Sequence, residues 1–230
     1  MIGEIFHAFV YQPLLNSLIF LYQTLPFSDL GLAVISLTVL VRIVVLPLNL
    51  RSARLQKGLQ RLQPKIKEIQ QNYKDNSQEQ ARLTAALFKS EKINPLTSFW
   101  PLMIQLPILL ALYQLFWQGL WQPIDSLVIN PVSFGLLAID LSAPSSIFAL
   151  AAGLAQWLQS KQTGVVQTAA KATASKTVAV VLQKEMLFLF PLITILILWG
   201  LPSALALYWL TSSLLAVTEQ KVFLKVLKND

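Results

Sequence analysis

Apolar stretches of membrane length alternate along this chain with segments that gather almost all of its basic residues, and that alternation leaves few folds open. The stretches cover residues 30–50, 95–117, 145–160, 186–200 and 203–220, the last beginning after the Gly200-Leu201-Pro202 break. A helix rises about 1.5 Å per residue and the hydrocarbon core is about 30 Å thick, so the first two cross it at full length. The third and fourth are short and need frayed ends or a locally thinned bilayer. None shows the strict in-and-out alternation of an outer-membrane barrel strand. Of 230 residues, 55% are hydrophobic and 13% charged, with mean hydropathy +0.58. That charge is about half of what a soluble domain carries.

The placement of the charges sets the topology. Of 18 Lys and Arg, ten lie in Arg51–Lys92, four in Lys161–Lys184 and three in Lys221–Lys228; the remaining one is Arg42. Residues 1–41 and 93–160 have none. Cytoplasmic loops carry the excess of Lys and Arg, so five spans fit with the N-terminus outside and the C-terminus inside. The +7 net charge does not point to nucleic acid, because the basic residues are interleaved with membrane-length runs. Zero cysteines exclude a disulfide scaffold, a zinc–thiolate site, a thiol nucleophile and a lipoprotein anchor. One histidine and eight glycines leave no His cluster and no glycine-rich phosphate loop.

The expected fold is an all-α polytopic membrane protein of five transmembrane helices, with a cytoplasmic helical hairpin and an N-terminal interfacial helix. Residues 1–27 lack the basic start of a signal peptide. Glu4, His7, Gln12, Asn16 and Gln23 interrupt them, which suits an amphipathic helix on the outer face. The rival is a sixth span, at the cost of burying those polar groups. Span one is residues 28–50. Residues 51–94 form the hairpin: Leu55, Leu59, Leu62, Ile66 and Ile69 recur at helical spacing, Lys74-Asp75-Asn76-Ser77 turn the chain, and Leu83, Leu87 and Phe88 face back. Its charges read as a solvated face, or as a docking surface or lever on anionic headgroups. Span two is 95–117, the outer loop 118–144, span three 145–160, a small-residue cytoplasmic loop 161–185, span four 186–201, span five 202–222 and the tail 223–230.

Arg42 is the residue that demands a reason. It lies eight residues above the end of span one, about 12 Å into the bilayer. A charge there costs several kcal/mol unless hydrated or paired, and arginine cannot shed its proton. The nearest acids, Glu185 and Glu219, sit at cytoplasmic span ends, so water held by uncharged groups is expected instead. Thr38 and Asn49 flank Arg42 on its own helix; Gln105, Gln156, Gln159, Tyr208, Thr211 and Ser212 supply hydrogen-bonding groups from other spans. The plainer alternative is that Arg42 snorkels to the headgroups. Gln105 could simply bond between helices, and Tyr208 and Trp209 could simply pack.

Several strings resemble the YidC/Oxa/Alb family of membrane protein insertases: Gly31-Leu32-Ala33, Thr38-Val39-Leu40-Val41-Arg42 through Leu46-Pro47-Leu48, Leu62-Gln63-Pro64-Lys65-Ile66-Lys67-Glu68, Asn94-Pro95-Leu96, Pro101 through Ile108 with Ala111-Leu112-Tyr113, and Leu207-Tyr208-Trp209 with Thr211-Ser212. The likeness spans about residues 28–225, in the same order. It implies a hydrophilic groove open to cytoplasm and lipid, with Arg42 attracting the acidic outer segment of a substrate. Groove residues would be Arg42, Thr38, Gln105, Gln156, Tyr208, Trp209 and Ser212. The substrate's apolar segment would slide past Trp100, Pro101 and Ile104 on span two and Phe190 and Ile193 on span four. No cofactor, metal or catalytic residue is implied. Implied partners are newly made membrane proteins and lipids of a bacterial inner membrane, with a ribosome and a Sec-type translocon as further candidates. The short tail, with only Lys221, Lys225 and Lys228, argues against ribosome docking through it. Two other readings remain: an assembly scaffold or chaperone built on the hairpin, and a small anion transporter with Arg42 as its site. An enzyme is disfavoured, since no carboxylate pair or nucleophile–base pair falls within the spans.

Overall fold

The computed structural model describes residues 2–94, 100–119, 139–163 and 176–228, with only the backbone for residues 2, 27, 56, 60, 100–102, 118–119, 163, 176–187 and 224–228. Much of the expected outer loop and of the second cytoplasmic loop therefore lies outside the described residues. The described residues are helical and include no extended strand. Their elements are α1 (Ile2–Phe6), a π-helical turn (His7–Tyr11), α2 (Gln12–Thr24), a 3-10 turn (Pro26–Ser28), α3 (Leu30–Asn72), α4 (Ser77–Ser90), α5 (Trp100–Gln114) with a π-helical turn (Leu115–Gly119), α6 (Ser146–Thr163), α7 (Lys176–Trp199) and α8 (Ser203–Lys228). Two stretches, Gly3–Thr24 and Leu30–Leu59, are long and apolar enough to cross a membrane; Met103–Trp117 and Phe188–Trp199 are shorter apolar helices.

Helix α3 joins what the sequence divides into span one and the first hairpin arm. Asp29 caps it, its carboxylate accepting from the Leu32 N–H at 3.0 Å. The helix then runs for 43 residues through Pro47 and Pro64. Each proline removes one backbone bond, but Arg51-Ser52-Ala53-Arg54 between them contains no stop signal, so the helix continues into the hairpin arm. It ends at Tyr73. Asn76 caps α4 by accepting from the Glu79 N–H at 3.1 Å. The hairpin has its own small core, where Leu59, Leu62 and Ile66 meet Phe88. Gly58 permits the close approach of the chain after α4: a Cβ there would lie 2.9 Å from Ile93 Cδ1. The Lys65–Glu91 ion pair at 2.9 Å is exposed and adds little.

In the bundle, α8 packs on α3 and α6, α6 on α7, and α5 on α3. Small residues on α6, namely Ala149, Ala152 and Ala155, are buried. Gly153 brings α7 closest, since a Cβ there would meet Ile195 Cγ1 at 2.2 Å and the Pro191 carbonyl at 3.3 Å. The first N–H groups of α8 are satisfied by the segment before α6. Ser203 N–H donates to the Ala143 carbonyl and Ala204 N–H to the Leu141 carbonyl, each at 3.0 Å. Asp140 in that segment accepts from the Ser142 hydroxyl and N–H, and these bonds hold its carboxyl below the usual range.

The N-terminal segment is tied into this bundle. Leu14, Leu15, Leu18 and Tyr22 of α2 share a core with Leu30–Leu37 at the start of α3 and Ala111–Phe116 at the end of α5. The π-helical turn packs against α5, with His7 and Tyr11 stacked at 4.9 Å. Large apolar side chains remain uncovered on α3 (Ile43, Val44), α5 (Met103, Leu106, Leu110) and α7 (Leu192, Leu196, Ile197). Apolar faces of this extent suit lipid rather than water.

Candidate functional site

The polar side chains that the sequence scatters over distant runs gather along α8. Arg42 and Asn49 are two helical turns apart on α3, and Ser212 and Glu219 are two turns apart on α8. Matching spacings on packed helices bring the four together. Arg42 Nη2 donates to the Ser212 hydroxyl at 2.8 Å and to its carbonyl. Arg42 Nη1 lies 3.4 Å from Glu219 Oε2, and Asn49 Nδ2 donates to that same oxygen at 3.0 Å. The Arg42 and Glu219 side chains are each 15% exposed.

This corrects the expectation that Arg42 has only water and uncharged partners. Counting residues to the end of span one put Glu219 out of reach. Arg42 and Asn49 both lie within span one, and it is the packing of α8 on α3, which no local pattern gives, that sets Glu219 opposite Asn49 and within reach of the Arg42 side chain. The signal present in the sequence was the shared seven-residue spacing, 42 to 49 and 212 to 219.

Two further pairs lie on α8. Gln105 Nε2 on α5 donates to the Tyr208 hydroxyl at 2.8 Å, and Tyr208 is buried. The Trp209 indole N–H donates to Gln156 Oε1 on α6 at 2.9 Å, and Ser213, which sequence reasoning missed, donates to the same oxygen at 3.2 Å. Thr38, one turn before Arg42 on α3, is buried, and its hydroxyl donates to the Val34 carbonyl of its own helix at 2.6 Å. Of the expected slide residues, Ile104 is half-buried, while Phe190 and Ile193 are 43% and 41% exposed. Trp100 and Pro101 open α5, and their side chains lie outside the described residues.

The cluster is built of amides, hydroxyls, one guanidinium and one carboxylate. Such a set binds and orients hydrogen-bonding groups or a carboxylate. Among the described residues no three His, Asp or Glu side chains gather as a metal site would require.

The sequence pattern of the 60Kd inner membrane protein family matches residues 20–230. The membrane protein insertase YidC of Fusobacterium nucleatum is 32% identical over 222 residues, covering 95% of this chain and 98% of that protein. That of Endomicrobium trichonymphae is 32% identical over 229 residues, 96% of this chain but 40% of that protein. That of Francisella tularensis subsp. novicida is 32% identical over 192 residues, 83% of this chain and 31% of that protein. The chain thus spans almost all of the first relative and less than half of the other two. With its helices, its uncovered apolar faces and its ordered motifs, this chain belongs to the 60Kd inner membrane protein family, that of the YidC/Oxa insertases.

Proposed function

We propose that this protein is a membrane protein insertase of a bacterial inner membrane, acting through a hydrophilic groove centred on Arg42. The observation that carries the reading is a guanidinium fastened to the middle of a bundle whose neighbouring helices present bare apolar faces. A substrate's hydrophilic segment meets hydrogen-bonding groups of Gln105, Gln156, Tyr208, Trp209 and Ser212, and its acidic residues meet Arg42. Thr38, one turn before Arg42 on the same helix, completes the groove set. The apolar segment moves along the exposed faces of α5 and α7, past Trp100, Pro101, Ile104, Phe190 and Ile193, into lipid. Partition of that segment, about 0.8 kcal/mol per CH₂, supplies the drive, and no nucleotide is needed. Five spans run with the N-terminus outside and the C-terminus in the cytoplasm, as the basic segments favour. The contact of α2 with the outer ends of α3 and α5 supports an N-terminal helix lying on the outer face.

Proteoliposomes containing only this protein test the reading. A short substrate with an acidic outer segment is added, and the protease-protected fraction is measured. Arg42→Ala is expected to lower insertion about tenfold, equivalent to about 1.4 kcal/mol, while Arg42→Lys retains most of it. Equal insertion by all three would reduce Arg42 to a snorkelling side chain. Insertion no better than in empty liposomes would favour a scaffold or a transporter.

A further inference from the structure

We propose that Glu219 is a built-in occupant of the Arg42 site: a carboxylate of the protein itself that holds the guanidinium until an acidic cargo residue displaces it, and that thereby tempers the preference for acidic over neutral segments. The proposal rests on the insertase reading and names how its central site discriminates.

Three features carry it. The first is the quality of the contact. Arg42 gives its Nη2 donors to Ser212 and leaves Nη1 for Glu219 at 3.4 Å, a single long bond. A well-made arginine–carboxylate pair is bidentate, at about 2.7–2.9 Å. An incoming carboxylate can therefore make a closer pair than the resident one. The second is the resting place. Asn49 Nδ2 donates to the same Glu219 oxygen at 3.0 Å, so the carboxylate keeps a neutral partner when Arg42 lets go. Exchange then never leaves either charge bare inside the bundle, a state that would cost several kcal/mol. The third is accessibility. Both side chains are 15% exposed, which is enough for a third group to approach, yet they are sheltered enough for charge to be felt.

The electrical consequence follows directly. At rest the pair sums to zero, so a passing chain meets dipoles rather than a cation. A cargo carboxylate replaces Glu219 like for like. A neutral cargo finds the arginine already satisfied. Removing the charge of Glu219 leaves Arg42 uncompensated, and acidic cargo should then be held more tightly.

The test uses the full chain in proteoliposomes and two cargo segments that differ only in Asp or Asn at the outer positions, each with a photo-crosslinker. The quantity read is the ratio of acidic to neutral cargo captured by one preparation, in which the folded fraction cancels. Glu219→Gln preserves shape, and its amide oxygen can accept from both Arg42 and Asn49. It is expected to raise the ratio about fivefold, the factor that a partly exposed ion pair is worth. Glu219→Asp, which keeps the charge but shortens its reach, raises it less and serves if the glutamine variant does not fold. A ratio that stays level or falls in Glu219→Gln, while Arg42→Ala lowers it, overturns the proposal and leaves the insertase reading standing. A ratio that Arg42→Ala does not move overturns both.

Discussion

Tyr208 is buried in the bundle with its hydroxyl accepting from Gln105 at 2.8 Å. Tyr208→Phe deletes that oxygen without a change of shape and leaves an amide donor unpaired. Interhelical hydrogen bonds in membranes average about 0.6 kcal/mol, so a thermal melt in detergent should move down by only a few degrees. A collapse of the fold would mean that the bond organises α5 rather than merely joining it. The individual polar residues were legible in the sequence: Gln105, Gln156, Tyr208 and Ser212 stand out because amides and hydroxyls are costly inside apolar runs. Their pairings were not. Gln105 and Tyr208 are 103 residues apart, and nothing local says which of several hydroxyls an amide will find. Glu219 was misjudged for the same reason: its place at a span end is local, but its nearness to Arg42 and Asn49 depends on how α8 packs on α3.

Among the helices, α6 and α7 approach through one missing side chain. A Cβ on Gly153 would sit 2.2 Å from Ile195 Cγ1 and 3.3 Å from the Pro191 carbonyl. Gly153→Ala therefore forces the helices apart, at a cost of about 1–3 kcal/mol. Gly58→Ala meets only the tip of Ile93 and should cost less. Melting both variants side by side checks the order, and Ile195→Ala should relieve the Gly153 variant but not the Gly58 one. Equal losses would show that the α6–α7 approach is no tighter than that of the hairpin. The sequence marked the start of α8 through Gly200-Leu201-Pro202, because breakers act locally. It did not reveal that α3 is one helix of 43 residues, because a change from apolar to basic composition marks the membrane surface and not a change of backbone conformation.

At the scale of the whole molecule, the described residues form two separate cores, one in the bundle and one in the hairpin, where Leu62 and Ile66 face Phe88. Leu62→Asp should open the hairpin alone. Trypsin would then cut faster within residues 51–92, while the bundle melts where it did before. A matching fall in the bundle's melting temperature would mean that the two cores fold as one. The class of the protein, a helical membrane protein, was legible at this scale, since membrane-length apolar runs follow from hydropathy; the order in which the helices pack was not, because contacts between distant runs leave no periodic trace. The uninterrupted α3 also has a thermodynamic consequence. Arg42 and the hairpin core are parts of a single rod, with Pro47 its one weakened rung between them. Any partner that grips the hairpin and tilts that rod changes the affinity beside Arg42. By reciprocity, on the proposed insertase reading, cargo that fills the Arg42 site changes the hairpin's affinity for its partner by the same factor. Occupancy inside the bilayer would then be readable from the cytoplasm.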